Sequence, residues 1–588
     1  MTRQESIQLS PNAIKVLRSR YLLRSNGVTE TPEQLFSRVA KAVAAAELKW
    51  GTQKDAEKWE EEFYTIMADL AFLPNSPTLM NAGTKLNQLS ACFVLPVEDS
   101  LDQIFLTLRH AAIIQQSGGG TGFNFSHLRP KNDPLTLTQG TASGPVSFMK
   151  VFNAATEHVK HGGKRRGANM GILNIDHPDI EEFIALKKEK NTLANFNISV
   201  GVSDAFMNAV ETNKEWSLVH PCKKEAMKTV QAKKLWNAIV ESAWQTGDPG
   251  LIFIDTINKA NPTPALGKIE STNPCGEVPL LPYEPCNLGS INLTKILGET
   301  NGKNAIDWIK LEKAVRTAVR FLDNIVEINN YLFPEISSMA LGNRKIGLGV
   351  MGWAELLILL EIPYASEKAI DLARLVMKFI QQKSIEASAG LVKTRGEFPN
   401  WKQSIYYPRV KMRNATTTSI APTGTISILA DTSSSIEPLF ALAFRRQHVL
   451  NNETLFSIND LFIDYLKKNQ LHVEKILDQV IKEGVAAGIK ELPAPAKNLF
   501  KTALEIPPSW HLRHQLAFQQ YTDNAVSKTI NLPETASAGE IEEIYRSAWK
   551  QKAKGITIFR SHSKSEQVMQ GGIENREKAC MYCFTDAI

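Results

Sequence analysis

Short apolar segments separated by Gly and Pro turns, with amphipathic helices between them, are the feature that most constrains this fold. Between about residue 75 and residue 300 the segments include ACFVLPV, TGFNF, NISVGV and GSINL, and helices such as IEEFIALKKEK and AKKLWNAIVESAWQTG lie between them. Strands that alternate with helices in this way are typical of a mixed α/β domain, in which the helices cover a sheet. We therefore predict an α/β fold.

The pattern changes along the 588 residues and divides the chain into three regions. Residues 1–74 are predicted to form an N-terminal helical region, because TPEQLFSRVAKAVAAAELKW has an N-cap threonine, an early proline and an amphipathic period. Residues 75–560 carry the α/β pattern. Residues 561–588 are polar, contain a glycine pair and include CMYC, so we predict a flexible tail that carries a CxxC pair.

Composition excludes several classes of protein. The net charge is only +6 and no long run of Lys or Arg occurs, so nucleic acid is not an expected partner. No stretch approaches the ~20 apolar residues that span a membrane, and the N-terminus does not resemble a secretory signal, so we expect a cytoplasmic protein without a membrane partner. Six cysteines are too sparse for a secreted disulfide scaffold, and they are expected to be thiols, metal ligands or redox pairs.

The segment NPCGEVPLLPYEPCNLGSINL, which starts at residue 273, holds two of the six cysteines beside two acids. If the segment is an extended strand, its period of two places Asn273, Cys275 and Glu277 on one face, where an amide, a thiol and an acid or base could meet one substrate. A buried carboxylate without a polar partner is costly, so these residues indicate chemistry rather than core packing.

Two turns rich in small residues are candidate ligand contacts. The turn APTGTISI, residues 421–428, has exposed backbone N–H groups and two hydroxyls that suit a phosphate, although an ordinary polar turn is the alternative. The turn QQSGGGTGFNF, residues 115–125, would let backbone approach a ligand closely. Its spacing fits neither a dinucleotide-binding fingerprint nor a P-loop.

A third loop, HGGKRRGANMG at residues 161–171, carries three cationic residues among glycines, and it is either an anion-binding loop or a solvated basic loop.

The CMYC pair near the C-terminus is predicted to be a redox dithiol rather than half of a zinc site, because His562 is the only nearby nitrogen ligand and zinc normally needs four ligands. We expect no metal ligated by protein side chains. Cys222 has no second cysteine close in sequence and is predicted to be structural.

These motifs resemble those of a known family. NPCGE, PNSPTLMNAGT, LSACFVLPVEDS, QSGGGTGF, GGKRRGANMGIL and PTGTISI are similar to motifs of ribonucleotide reductase large subunits, and in particular of the class II, adenosylcobalamin-dependent branch. The resemblance runs from about residue 8 to residue 565 in the family's order. It implies a ten-stranded α/β barrel of two five-stranded halves with a central finger loop, preceded by the N-terminal helical region.

The resemblance also implies an activity. The protein would reduce ribonucleotides, with diphosphates favoured over triphosphates, to 2′-deoxyribonucleotides by a thiyl radical mechanism that adenosylcobalamin initiates. Cys275 would carry the thiyl radical that removes the 3′ hydrogen of the ribose, Glu277 would act as base on the 3′ hydroxyl, and Asn273 would orient the substrate. Cys92 and Cys286 would supply two electrons and end as a disulfide.

Further residues match the family's binding positions. The tail thiols Cys580 and Cys583 would reduce the active-site disulfide and be re-reduced by a thioredoxin-like partner. At Ala91, only the backbone would contact the substrate. The implied substrate-binding residues are Ser76, Ala91, Gly120, Pro422, Thr423, Gly424, Thr425 and Ile426. The implied binding residues for ATP or deoxynucleotide effectors are Asp99, Arg129, Lys164, Arg165 and Arg166.

Several positions bear on the class. Large subunits of class I carry a tyrosine pair for radical transfer where this chain has Ile558 and Phe559, and no glycyl-radical motif of class III is visible. Class II therefore remains, with a class I-type large subunit that uses a radical from a separate small subunit as the alternative. The cobalamin motif of B12 mutases, Asp-x-His-x-x-Gly, is absent, but the class II branch does not use it. A homodimer without an ATP-cone is expected.

Overall fold

The computed structural model describes residues 7–25, 27–135, 139–159, 167–189, 192–450, 453–563 and 569–572. Its α-helices, in chain order, are α1 Pro11–Arg20, α2 Pro32–Ala44, α3 Gln53–Ala68, α4 Ser76–Asn81, α5 Leu101–Ser117, α6 Gly144–His158, α7 Ile180–Ala185, α8 Asp204–Glu211, α9 Ala232–Thr246, α10 Ile254–Lys259, α11 Trp308–Ile328, α12 Pro334–Asn343, α13 Trp353–Leu359, α14 Glu367–Arg395, α15 Ile426–Leu429, α16 Asp460–Lys468, α17 Val473–Glu483, α18 Ala494–Leu499, α19 Pro508–Gln519 and α20 Ala538–Lys550.

The β-strands are β1 Arg24–Ser25, β2 Val28–Thr29, β3 Phe72–Pro74, β4 Cys92–Val94, β5 Gly120–Asn124, β6 Asn169–Asn174, β7 Phe196–Val202, β8 Glu215–Val219, β9 Ala226–Gln231, β10 Gly250–Phe253, β11 Ser271–Thr272, β12 Pro279–Leu280, β13 Pro285–Asn292, β14 Leu297–Thr300, β15 Lys303–Ile306, β16 Ile346–Met351, β17 Ala443–Leu450, β18 Glu453–Ile458, β19 Thr529–Leu532, β20 Gly555–Arg560 and β21 Met569–Gly571. In the part of the chain that the structure describes, no helix is both long and apolar enough to cross a membrane.

The N-terminal region is helical, as the sequence predicts. Helix α2 begins at a capping box, in which the Thr31 side chain accepts from the Gln34 N–H and the Gln34 side chain accepts from the Thr31 N–H. Its apolar face joins α3 and the long helix α11 in one core that includes Phe36, Phe63 and Phe321. The helical region therefore packs directly on the α/β part and shares a hydrophobic core with it.

The first half of the α/β part is a five-stranded parallel sheet in the order β4, β5, β6, β7, β10. Helices such as α5, α6 and α9 connect successive strands, and side chains of strands and helices share a second core. Parallel strands need such crossover connections, and a helix is the usual one. This explains why strand and helix patterns alternate in this part of the sequence.

The second half is also parallel. Strand β13 pairs with β16, and β19 pairs with β20. Isolated parallel bridges join Leu348 of β16 to Thr418, and Ile420 to Val526, three residues before β19. The segment around Thr418 thus acts as the middle strand, and the second half also contains five strands.

Antiparallel contacts join the two halves at both edges. Strand β13 pairs antiparallel with β4, and β20 pairs antiparallel with β10. Together with the bridges of the second half, these contacts close a ring of five plus five strands. The predicted barrel of two five-stranded halves is therefore confirmed.

A short hairpin, β11 and β12, lies inside this ring. It approaches β5 so closely that a Cβ atom at Gly122 would overlap the Thr272 carbonyl oxygen, and a Cβ at Gly120 would lie 2.9 Å from Cγ of Pro274. Gly122 is therefore required because the hairpin backbone occupies the space of its missing side chain, and Gly120 because the Pro274 ring lies against it. This hairpin is the finger loop that the resemblance implies.

We predict that Gly122→Ala displaces the finger hairpin. The added methyl would occupy the position of the Thr272 carbonyl oxygen, and overpacking of this kind costs about 1–3 kcal/mol or more. Urea unfolding should show a lower midpoint for this variant than for the unmodified protein.

The matched control is Gly390→Ala. Gly390 is exposed within α14, and a Cβ there would have no atom within 4 Å. Replacing a helical glycine with alanine stabilises a protein by about 0.5–1 kcal/mol, so the control should unfold at a higher urea concentration. Equal midpoints for the two variants would contradict the close approach of β5 and the hairpin.

Candidate active site

The tip of the finger hairpin holds the three residues that the sequence placed on one strand face. That strand prediction is wrong, because residues 273–278 form the turn between β11 and β12. The Gly276 N–H donates to the Asn273 carbonyl oxygen at 3.1 Å, and Gly276 has a φ of +81°, which favours glycine. Cys275 is exposed at this tip, whereas Asn273 and Glu277 are buried. The turn, and not a strand pleat, brings the three residues together.

Two further cysteines lie directly opposite each other in the barrel wall. Cys92 of β4 and Cys286 of β13 are paired residues of an antiparallel ladder, and both thiols are buried and reduced. The Asn273 side-chain amide donates to Sγ of Cys92 at 3.2 Å. The finger tip therefore contacts the thiol pair directly.

Burial controls the protonation of this cluster. It raises the pKa of the Cys92 thiol, and the nearby Glu277 carboxylate raises it further. Burial likewise raises the pKa of the Cys286 thiol. Both cysteines are therefore protonated thiols at neutral pH, able to give hydrogen atoms and electrons rather than to act as metal ligands.

Glu277 supplies the carboxyl group of the cluster. Its burial raises the pKa to about 7, while a hydrogen bond from the Asn273 side chain opposes the rise. Within the described residues, its Oε2 atom is buried and has no hydrogen-bond partner. A carboxyl with a pKa near neutral and an uncommitted oxygen suits general acid or base catalysis.

The residues assigned to the substrate phosphate meet at the end of α1. The Ser76 hydroxyl at the start of α4 lies 2.8 Å from the Tyr21 hydroxyl, and Nη1 of Arg20 donates to Oγ1 of Thr425 at 3.3 Å. Thr423 is in the left-handed region at φ +52°, and its Oγ1 accepts from the Ser435 N–H at 2.7 Å. One cation, hydroxyls and a small-residue turn thus share this corner.

Backbone hydrogen bonds place Ala91 between Cys286 and Gly120. The Ala91 N–H donates to the Cys286 carbonyl oxygen at 3.3 Å, and the Ala91 carbonyl oxygen accepts from the Gly120 N–H at 2.8 Å. Ala91 and Ala421 both pack against the cluster around Cys92 and Cys286. Gly424 has open space where a side chain would be, and Ile426 is buried at the start of α15. Of the predicted substrate residues, Gly120 therefore lies beside Pro274 of the finger tip, and Ala91 lies beside the thiol pair.

A cavity of about 1230 Å³ opens beside the finger tip, and Cys275 and Pro422 contribute to its wall. Ile558 and Phe559, the positions of the class I tyrosine pair, line the same cavity. It is large enough for a ligand beyond the usual size of a substrate or drug-like molecule.

Two of the proposed effector residues, Asp99 after β4 and Arg129 after β5, contact each other. Arg129 Nε contacts Asp99 Oδ2 at 2.8 Å, and the Arg129 N–H donates to Oδ1 of Asp99 at 3.1 Å. Cys222, expected to be structural, is exposed, and its thiol lies 3.5 Å from Asp99 Oδ2. The remaining predicted residues, Lys164, Arg165, Arg166, Cys580 and Cys583, lie outside the described residues.

Sequence reasoning missed several polar residues at the site. Arg20 and Tyr21 belong to the N-terminal helical region, and only the basic last turn of α1 signals Arg20. The ion pair of Glu284 and Lys345, at 2.7 Å, is almost completely buried, and both charges act on the Cys286 thiol. Glu284 lies in the quoted segment, two residues before Cys286, whereas Arg20, Tyr21 and Lys345 are remote in sequence from the finger tip. Among the described residues, no group of three or more His, Cys, Asp or Glu could hold a metal ion.

Comparison with known proteins identifies the family. The model of the ribonucleotide reductase barrel domain matches residues 90–411 and 409–559, and the model of its all-alpha domain matches residues 7–87. The chain therefore belongs to the ribonucleotide reductase large-subunit family.

Particular relatives carry more specific names. The vitamin B12-dependent ribonucleoside-diphosphate reductase of Thermoplasma acidophilum is 46% identical over 98% of this chain and 82% of its own length. The protein of the same name from Mycobacterium tuberculosis is 48% identical over 96% of this chain and 81% of its own. A solved structure, the Actinobacillus ureae class Id ribonucleotide reductase alpha subunit, is 25% identical with a TM-score of 0.78, covering 94% of this chain and 97% of that one.

We predict that mild oxidation joins Cys92 and Cys286 in a disulfide. Direct neighbours in an antiparallel ladder are close enough for a disulfide after a small adjustment. The experiment uses the Cys580→Ser/Cys583→Ser background, so that tail thiols do not take part. Diamide treatment, alkylation and peptide mass spectrometry should show the 92–286 cross-link and an alkylated Cys222.

The control is Cys92→Ser in the same background, which should leave Cys286 reduced and open to alkylation after unfolding. Recovery of both cysteines as alkylated thiols after oxidation of the Cys580→Ser/Cys583→Ser protein would show that the pair does not form a disulfide. The pair could then not supply two electrons.

Proposed function

We propose that this protein is a vitamin B12-dependent ribonucleotide reductase that converts ribonucleoside diphosphates to 2′-deoxyribonucleoside diphosphates. The observation that carries this proposal is the finger tip, which holds an exposed Cys275 beside a buried pair of reduced cysteines and a carboxyl whose pKa is about 7. The names of the two relatives support both the cofactor and the diphosphate substrate.

Each residue has a proposed role that its environment supports. Cys275, as a thiyl radical, removes the 3′ hydrogen atom, and Glu277 accepts the 3′ hydroxyl proton through its uncommitted oxygen. Cys92 and Cys286 then provide two electrons and two protons as the 2′ hydroxyl leaves as water, and the pair becomes a disulfide. Cys275 returns the hydrogen atom to C3′ and Glu277 returns the proton to the 3′ oxygen, which completes the 2′-deoxynucleotide. Asn273 orients the substrate and holds the Cys92 thiol by its hydrogen bond.

The cavity beside Cys275 fits adenosylcobalamin. The Oε1 atom of Gln515 is buried in the cavity wall and, within the described chain, has no hydrogen-bond partner, so it can accept from a ligand donor. Ser199 and Thr557 add hydroxyls to the same cavity wall. We propose that Gln515, Ser199 and Thr557 hold the cofactor, which when bound supplies the radical that Cys275 takes over.

The class I alternative has weaker support. The relatives named as B12-dependent are 46% and 48% identical to this chain, whereas the class Id alpha subunit is 25% identical. Ile558 and Phe559 have no phenolic oxygen, so neither can serve as the tyrosine of a radical relay from a second subunit.

Effector control and dimerisation are proposed together, because their residues adjoin. Asp99 and Arg129 would bind ATP or a deoxynucleotide together with Lys164, Arg165 and Arg166.

Helix α5 starts two residues after Asp99, and it exposes Leu101 and Phe105 with 63% and 52% of their surface accessible. We propose that α5 and its neighbour α6 form the interface of a homodimer, since large exposed apolar side chains mark association surfaces.

Re-reduction by the tail completes the proposal. Cys580 and Cys583 would reduce the 92–286 disulfide and be restored by a thioredoxin-like protein. Within the segment expected to be a flexible tail, Met569–Gly571 form β21, which pairs with β17. The division of the chain at residues 74 and 560 stays a prediction, as does a cytoplasmic location.

The decisive test is an anaerobic assay with adenosylcobalamin, dithiothreitol and each ribonucleotide. We expect deoxynucleotides to form, and we expect the ratio of the bases reduced to change by roughly 5- to 150-fold with dATP, dTTP or dGTP as effector.

Cys275→Ser should abolish the product while nucleotide binding is retained, because it removes the hydrogen-abstracting atom and almost no volume. Product formation by this variant would disprove the role of Cys275.

The raised pKa of Glu277 predicts a pH dependence. A general base acts in its ionised form, so the rate should increase about tenfold per pH unit below the pKa of about 7 and level off above it. Single-turnover rates of pre-reduced protein measure this without a contribution from the reductant. Glu277→Gln should reduce the rate by roughly 10²- to 10⁴-fold, and its rate should no longer increase with pH below the pKa. An unchanged profile in the variant would assign the titration to another group.

A further inference from the structure

One side chain of the barrel wall holds the peptide group next to Cys275. The side-chain amide of Asn197 donates from Nδ2 to the Pro274 carbonyl oxygen at 2.8 Å. Pro274 directly precedes Cys275, so this bond fixes the plane of the peptide that leads into the cysteine. Asn197 is exposed, and it lines the same cavity as Cys275.

The position of Asn197 on the sheet suits this contact. Gly122 of β5, Met170 of β6 and Asn197 of β7 are aligned partners across three parallel strands. Aligned residues of neighbouring strands point to the same face of a sheet. Gly122 faces the finger backbone at Thr272, so Asn197 reaches the same hairpin two residues later, from a rigid element of the barrel.

The other side of the tip is held by the second half of the barrel. The Glu277 carbonyl oxygen accepts from the Ser419 hydroxyl and from the Ala525 N–H, both at 2.9 Å. Cys275 therefore lies between two anchored carbonyl groups, at Pro274 and at Glu277. The Pro274 carbonyl is held by one side chain, Asn197, which is accessible from the cavity. The Glu277 carbonyl is held by donors in the middle of the other half-barrel.

We propose that Asn197 is a positioning residue for Cys275, which acts by fixing the Pro274 carbonyl and thereby the direction of the thiol. The inference rests on the proposed function. Hydrogen abstraction requires the sulfur at close distance and correct angle to the substrate, and a misplacement of about 1 Å can cost roughly 10²-fold in rate. Asn197 itself does not touch the reacting atoms.

The test compares three variants. Asn197→Ala removes the donor, and Asn197→Asp keeps the shape but replaces the donor with an acceptor that repels the Pro274 carbonyl. Asn208→Ala is the matched control, because Asn208 is an exposed asparagine on α8, away from the finger. Each is measured for kcat and KM with adenosylcobalamin and dithiothreitol, for its urea midpoint, and for the alkylation rate of Cys275 by iodoacetamide, followed by peptide mass spectrometry.

We expect kcat to fall about 10- to 100-fold in both Asn197 variants with KM nearly unchanged, because ground-state binding does not use this bond. The alkylation rate of Cys275 should change several-fold, while the urea midpoint stays near that of Asn208→Ala. Wild-type kcat and alkylation rate in the Asn197 variants would overturn the inference. So would a fall in kcat with a lower urea midpoint and an unchanged alkylation rate.

The alkylation rate separates the two proposals. If the unmodified protein formed no deoxynucleotide, the proposed function would fail. An altered Cys275 alkylation rate in the Asn197 variants would then still show that Asn197 positions the thiol.

Discussion

The close approach of the finger hairpin to the barrel wall is the steric constraint on which the rest of the site depends. Gly122 admits the hairpin backbone because any larger residue would occupy the space of the Thr272 carbonyl oxygen, and Gly120 leaves space for the Pro274 ring. Once inside, the hairpin presents Cys275 to the cavity and turns Asn273 towards Cys92. The ring of ten strands provides the rigid frame, since two parallel halves joined by antiparallel contacts leave an interior wide enough for a loop.

Burial has a chemical consequence in this interior. Removing Glu277 and the two thiols from water disfavours their charged forms, so the carboxyl titrates near neutral pH and the thiols remain protonated. The cluster therefore combines an acid or base that can change state at working pH with sulfurs that hold their hydrogens. A solvent-exposed loop of the same sequence would have an ionised glutamate and readily oxidised cysteines.

Much of the architecture was predictable from the sequence, and one local prediction was wrong. The alternation of strands and helices gave the α/β class, and the family motifs implied the two half-barrels and the finger loop. The period-two spacing of Asn273, Cys275 and Glu277 nevertheless predicts a strand face, because such spacing does not distinguish a strand from a turn. Gly276, at a φ of +81°, reverses the chain between them, and a glycine inside an apparent strand is the local signal of such a turn.

The sequence by itself determined the fold class, the family and the candidate reactive groups, because these are carried by short motifs whose residues are neighbours along the chain. Tertiary structure alone decided which groups meet. Cys92 and Cys286 are opposed only because β4 and β13 join the two half-barrels, and Arg20 reaches Thr425 only because α1 packs on α15. Partners so far apart in sequence leave no periodic pattern. Their protonation states also depend on burial, which is a property of the folded barrel and not of any segment.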